Sequence, residues 1–185
     1  KIWNYTRLIV SYQLSKLTGK TIHWGMPASL GIEPTTSCNL RCPECPSGLR
    51  SFTRPTGMLA PDNFRTFVDE VHKDLLYLIL YFQGEPYLNP GFLDMVKYAT
   101  QKNIYTATST NAHYLTDENC RKTVESGLKR MIISIDGTTQ ETYASYRIGG
   151  NLEKVLEGAK RMVAWKKKLN SPTPVSLFQF LVVKP

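Results

Sequence analysis

No apolar run in these 185 residues approaches the ~18 to 20 needed to span a bilayer; the longest, Leu75 to Phe82, is the size of a strand. A membrane-spanning helix is therefore not expected. Lys1 to Lys20 mixes polar and charged residues through its apolar positions and offers no small-residue cleavage site, so it does not read as a secretory signal, and the expected compartment is the cytoplasm. Acidic residues are in the minority: fifteen Asp and Glu against twenty-three Lys and Arg leave a net charge of +8. Such an excess would suit a polyanionic partner, but its one dense run, Lys166-Lys167-Lys168, ends a predicted helix whose dipole favours cations there. No aromatic-basic interleaving marks a base-stacking surface, and nucleic acid is not expected as a partner. His23, His72 and His113 have no ligand-like spacing. Four cysteines do not make a disulfide scaffold in a chain of this size, and three of them fall within eight residues. Their clustering asks for a metal.

From about Leu30 onward, strand-like apolar runs alternate with segments of helical period, the pattern of βα units on a parallel sheet. The expected strands are Ser29 to Pro34, Leu76 to Phe82, Ile104 to Thr110, Met131 to Ile135 and Val175 to Val183. Between them fall helices over Asp62 to Asp74, Pro90 to Lys102, a segment capped by Thr116 and ended by Gly127, and Asn151 to Leu169. In the third strand Thr106, Thr108 and Thr110 share one face and Ala107 and Ser109 the other, as on a barrel strand with a polar interior end. Ahead of these units, Leu8, Ile9, Tyr12 and Leu17 suggest an amphipathic helix before Gly19, docked through its apolar stripe. The expected division is a helix and lead-in over residues 1–28 and a core domain over residues 29–185.

Cys38-Asn39-Leu40-Arg41-Cys42-Pro43-Glu44-Cys45 is a C-x-x-x-C-x-x-C run on the loop leaving the first predicted strand. Three thiolates there can converge on one polynuclear centre; on a [4Fe-4S] cube they would leave one iron open to another ligand. The competing reading is a non-catalytic zinc module. Closed zinc sites generally take four ligands, commonly from two C-x-x-C hairpins, and no second hairpin exists; Cys120 lies on a predicted helix far away in sequence, where a small buried hydrophobe is the ordinary role.

The segment from Glu33 to Pro46, Glu-Pro-Thr-Thr-Ser-Cys-Asn-Leu-Arg-Cys-Pro-Glu-Cys-Pro, followed by Gly84-Glu85-Pro86 after the second strand, resembles the radical S-adenosylmethionine superfamily, in particular members with a C-terminal SPASM or twitch extension that modify peptides and proteins. The resemblance runs from about Leu30 to Leu181. It implies an α/β fold, a partial parallel (β/α)6 TIM-like barrel, here truncated after about five strands. In such barrels functional residues follow the strands, and Cys38 to Cys45, Gln83 to Pro86, Thr110-Asn111 and Ser134 to Gly137 all do so.

That resemblance also implies the chemistry. Cys38, Cys42 and Cys45 would hold a [4Fe-4S] cluster; S-adenosylmethionine would chelate the open iron and be cleaved reductively to a 5′-deoxyadenosyl radical that abstracts a substrate hydrogen. Gly84 and Glu85 would receive its amino group, and Ser134 and Asp136 its ribose or methionine portion. Asn111 would join them, and Arg147 would meet the methionine carboxylate. Gln83 stands where the family usually has a first glycine, and Glu44 where many relatives have an aromatic residue near the adenine, which shifts the expected apolar support to Phe180 to Val182. A flavodoxin, ferredoxin or similar electron donor and a peptide or protein substrate are the implied partners, with modification of RNA or a small metabolite as the alternative. With no second cysteine cluster present, the chain is expected to be a fragment with an apolar edge at Leu177, Phe178 and Phe180.

Overall fold

The computed structural model describes residues 1–182. Five parallel strands, β1 (Ser29–Gly31), β2 (Tyr77–Ile79), β3 (Tyr105–Thr110), β4 (Arg130–Ser134) and β5 (Val175–Gln179), pair in sequence order. Leu78 lies beside Leu30 and Thr106, Thr108 beside Met131, and Ile133 beside Phe178. All five expected strands are present, each shorter or shifted by a residue or more. Val183, the expected end of the fifth, lies outside the described residues. β1 stops at Gly31 and β2 at Ile79 because only single backbone bonds, Ile32 N–H to Ile79 and Leu80 N–H to Ala107, continue the ladders before the chain turns into loops.

The intervening helices are α3 (Pro61–Val71), α4 (Phe92–Gln101), α5 (Asp117–Glu125) and α7 (Leu152–Lys168). Thr116 and Asn151 cap the last two through side-chain oxygens that accept from Asn119 N and Lys154 N. Two short helices were not expected from the sequence: α2 (Pro46–Leu49), directly behind the third cysteine, and α6 (Gln140–Tyr146), which begins in a Thr139–Thr142 capping box. The core lies between the sheet and these helices. Leu78, Leu80, Met131 and Ile133 meet Phe64, Val68, Met95, Val96, Val155 and Met162, and each such side chain contributes ~1.5–3 kcal/mol by leaving water. The threonine face of β3 turns to this layer, since Thr106 Oγ1 meets Thr100 Oγ1 of α4 and Thr108 Oγ1 donates to Leu80 O.

The first helix, α1 (Ile2–Thr18), is present but corrects the expected packing. Its buried residues are Asn4 and Ser11, while Ile9, Tyr12 and Leu17 of the expected docking stripe face outward and Leu8 is half-buried. The inward face is polar because it binds backbone: Asn4 exchanges two bonds with Met26 and Ser15 two with Ile22, so the helix is clamped to its own return segment. At the other edge, Leu177 and Phe178 of β5 and Phe180 just beyond it are exposed, the apolar edge that the sequence suggested.

Candidate active site

The four loops at the carboxyl ends of β1 to β4 meet around one cavity of about 250 Å³. Cys38, Cys42, Cys45, Gly84, Glu85, Asn111, Ser134 and Arg147 all line it, so eight of the nine residues singled out in the sequence are gathered in one place; the ninth, Asp136, is buried behind Arg147.

The cysteine loop is held open by its neighbours. Arg41 N–H donates to Ile148 O (3.0 Å), tying the loop to the segment after α6, and Cys45 occupies the N-cap position of α2 without a side-chain capping bond. Gly48 allows α2 to lie on the loop: a Cβ there would sit 2.5 Å from both the nitrogen and the oxygen of Cys42. Each thiol has its own polar neighbour. The Asn111 amide approaches Cys38 Sγ at 3.9 Å, an Arg147 nitrogen approaches Cys42 Sγ at 3.7 Å, and Cys45 Sγ donates to Gln83 Oε1 at 3.3 Å. Burial pushes the Cys38 and Cys42 thiols up; for Cys42 the Arg147 cation works in the opposite direction. Cys120 belongs elsewhere. It is buried in α5 against Gly158 O of α7, and burial raises its thiol to about 12.

Gly84 carries the β2 loop across the β1 loop. It adopts φ +78° and approaches so closely that a Cβ would meet Thr35 O at 2.2 Å, a position that only glycine fills without rearrangement. Its N–H donates to Ser47 Oγ, whose hydroxyl donates to Gln83 Oε1, and Glu85 N–H donates to Ser37 O. The Gln83 side chain thus joins α2 to the β2 loop in place of an expected glycine.

The Glu85 carboxylate is committed to the protein as well as to the cavity wall. Its oxygens accept from Thr110 Oγ1 (2.8 Å), Asn111 N–H (2.8 Å) and Tyr87 N–H (3.3 Å), and it is 1% exposed. Burial pushes its pKa up to about 7 despite those three donors. Asp136 is likewise engaged: it forms an ion pair with Arg147 and accepts Leu181 N–H at 2.7 Å. It lies beyond the end of β4, so its two-residue spacing from Ser134 places it on the following loop and not on a shared strand face. Burial works against the Arg147 charge, but Asp136 and Cys42 outweigh it, so the guanidinium is held above its usual range.

Five residues at or beside the cavity were not anticipated. Ser109 and Gln179 line the cavity from β3 and β5, and Tyr81 and Phe82 line it from the β2 loop, whereas Phe180 to Val182 do not. His113 stands behind Asn111: Asn151 N–H donates to its Nε2 (2.8 Å), which places the ring proton on Nδ1, facing Asn111 O (3.0 Å). Burial lowers its pKa.

Three thiols sharing one cavity with a fixed guanidinium and a buried carboxylate could hold a polynuclear iron-sulfur centre and a zwitterionic ligand. The sequence comparisons agree: the family model described as "Radical SAM superfamily" matches residues 32–168, and the chain belongs to that superfamily. Its cofactors are a [4Fe-4S] cluster and S-adenosylmethionine.

Among individual proteins, the chain is 32% identical over 133 residues to an AdoMet-dependent heme synthase of Methanosarcina barkeri, covering 71% of this chain and 38% of that protein. It is 27% identical over 156 residues to a PqqA peptide cyclase of Rhodopseudomonas palustris, covering 83% and 40%. The structure of Streptococcus suis SuiB bound to S-adenosylmethionine matches with a TM-score of 0.66 at 15% identity, over 85% of this chain and 35% of that one. The five-stranded parallel sheet is thus the α/β, partial TIM-like barrel of radical S-adenosylmethionine enzymes. The chain spans about two fifths of the length of the curated relatives it matches.

Proposed function

We propose that residues 29–185 are the catalytic core of a radical S-adenosylmethionine enzyme acting on a peptide or protein, with residues 1–28 as a separate lead-in. The observation that carries this reading is the gathering of all three motif cysteines with Arg147 and Glu85 in one cavity at the carboxyl ends of the strands. Cys38, Cys42 and Cys45 are the ligands of three irons. The donor set fits: the three thiols share one cavity, which leaves a cube one position open to another ligand, whereas closed zinc sites generally take four protein ligands.

Held there, a [4Fe-4S] cluster would supply the electron for reductive cleavage of S-adenosylmethionine. The chain's own groups position the ligand. Arg147, oriented by Asp136, offers a fixed cation to the methionine carboxylate. Glu85 presents a carboxylate for the ammonium, supported by Gly84, while Asn111 and Ser134 offer polar atoms to the rest of the ligand. With both acids anchored, the side chains are in position before the ligand arrives, and little rearrangement of them is required on binding. Tyr81 and Phe82 supply apolar surface at the cavity edge for the adenine.

The relative named for a peptide substrate supports the peptide reading, and the relative named as a heme synthase favours a small metabolite as the second. A flavodoxin or ferredoxin is proposed as the electron donor, and the cytoplasm as the compartment; among the described residues no helix is long and apolar enough to cross a membrane. Anaerobic reconstitution tests the core claim. Roughly four irons and four sulfides per chain, with reductive cleavage of S-adenosylmethionine, are expected; one tightly bound zinc and no cleavage would refute it.

A further inference from the structure

The outward face of α1 is the opposite of what a docked surface helix presents. Ile2, Trp3, Tyr12 and Leu17 are 82, 73, 61 and 82% exposed, and Tyr5, Ile9 and Val10 lie between 42 and 49%. The inward face is satisfied by Asn4, Ser11 and Ser15, so turning the helix over would break its reciprocal bonds to Met26 and Ile22 in order to bury the apolar side chains. The fold therefore holds this face outward. Lys1 fixes the helix at its start, its ammonium donating to Leu75 O, Lys102 O and Asn103 O, which lie just ahead of β2 and β3. That is the end of the sheet opposite the cysteine cavity.

Charge identifies what covers the face. Residues 1–32 contain no Asp or Glu, but they hold Lys1, Arg7, Lys16 and Lys20. Arg7, Lys16 and Lys20 are exposed, and none takes part in an ion pair among the described residues. Trp3, Tyr5 and Tyr12 on the helix, with half-exposed Trp24 on the return segment, are the amphipathic rings that settle at the headgroup level of a bilayer. A second copy of the chain would set these cations against one another, since the patch has no acidic residue to answer them.

We propose that α1 and its return segment lie on an anionic lipid surface, with Ile2, Trp3, Ile9 and Leu17 in the interface and Arg7, Lys16 and Lys20 at the headgroups, leaving the cavity of the cysteine loop facing away from the membrane. The contact is peripheral. It neither requires nor implies a membrane-spanning helix.

Vesicle sedimentation of the full 185-residue chain, with phosphatidylcholine alone and with about one third phosphatidylserine, tests this. Partition into the anionic vesicles is expected, with a blue shift in tryptophan emission that Trp3→Phe diminishes, and weakening as salt rises toward 0.5 M. The Ile2→Ser/Leu17→Ser and Arg7→Glu/Lys16→Glu pairs should each reduce partition roughly tenfold or more. All four positions are exposed, so both variants should keep the thermal midpoint and iron loading of the parent. The proposal is overturned by partition that is equal with and without phosphatidylserine, by unchanged partition in the charge-reversed variant, or by absence of binding. It is also overturned if the parent forms a stable dimer that the serine variant dissolves, since a second copy would then own the face.

Discussion

Glu85→Gln should make the protein more stable and the ligand site worse. The carboxyl is pushed up to about 7 from an ordinary 4.5, so between those pH values the folded state holds a proton that the unfolded chain has released. Stability must therefore fall as pH rises through this window. At 1.36 kcal/mol per unit, the loss is about 3 kcal/mol as an upper bound, fully expressed above pH ~7. Glutamine mimics the protonated acid. Its amide nitrogen can donate to Thr110 Oγ1 and its oxygen can accept from Asn111 N–H, which leaves only the longer bond from Tyr87 N–H in question. In the metal-free chain, the variant should match wild type near pH 5 and melt roughly 5–10 °C higher at pH 8.

Binding should move the other way. A ligand ammonium in the cavity favours ionised Glu85, so below pH ~7 each molecule bound must displace a proton, and affinity should rise toward pH 7 before levelling. The glutamine variant should bind S-adenosylmethionine more weakly above pH 7 and lose that rise. Denaturant melts from pH 5 to 8 and equilibrium binding to cluster-loaded protein from pH 6 to 8.5 read the two effects separately. If the stability difference between the proteins does not change with pH, Glu85 is not the buried acid described here; if the rise survives in the variant, another group carries it.

Cys38→Ala, Cys42→Ala and Cys45→Ala should each abolish the broad iron-sulfur absorption, while Cys120→Ala keeps it and costs about 1 kcal/mol of stability, as an alanine replacing a small buried side chain should. Gly48→Ala should lower iron loading although it touches no iron, because the new methyl meets the Cys42 backbone; loading equal to wild type would show that α2 shifts without consequence. Arg147→Ala strands the buried Asp136 carboxylate and should cost about 3 kcal/mol as well as ligand affinity, whereas Arg147→Ala/Asp136→Ala should recover stability without recovering binding; a calorimetric titration beside a melt separates the two.

The order of the strands was readable in the sequence because each is an apolar run ended by a functional loop, but their ends were not. Ile32, Leu80 and Tyr81 continue the apolar pattern of β1 and β2 past the last regular pairing, since the loops there are buried against one another and need apolar residues without needing a ladder. α6 escaped notice because it buries only Tyr143, and one buried residue sets no period. In α1, apolar residues occur on nearly every side, and composition alone assigned the inward role to the stripe that faces out. The deciding groups were Asn4 and Ser15, whose partners at Met26 and Ile22 lie across a turn that carries no helical period.

The same distinction separates what was legible in the site from what was not. The proposed ligand set is local: thiol spacing on one loop singles out Cys38, Cys42 and Cys45 without knowledge of anything else in the chain. Charge placement is not local. Whether Glu85 and Asp136 offer their oxygens to a ligand or to the protein depends on Thr110, Asn111 and Arg147, which lie 25, 26 and 11 residues further along the chain. Both acids prove to be held by the protein first, and this is what a site for a zwitterion requires. An unanchored carboxylate and guanidinium within one small cavity would collapse onto each other and leave neither charge for the ligand. Asp136 prevents this by pairing with Arg147 from behind, leaving a nitrogen of the guanidinium against Cys42. Thr110 and Asn111 hold Glu85 in the cavity wall, where its charge develops when a cation arrives.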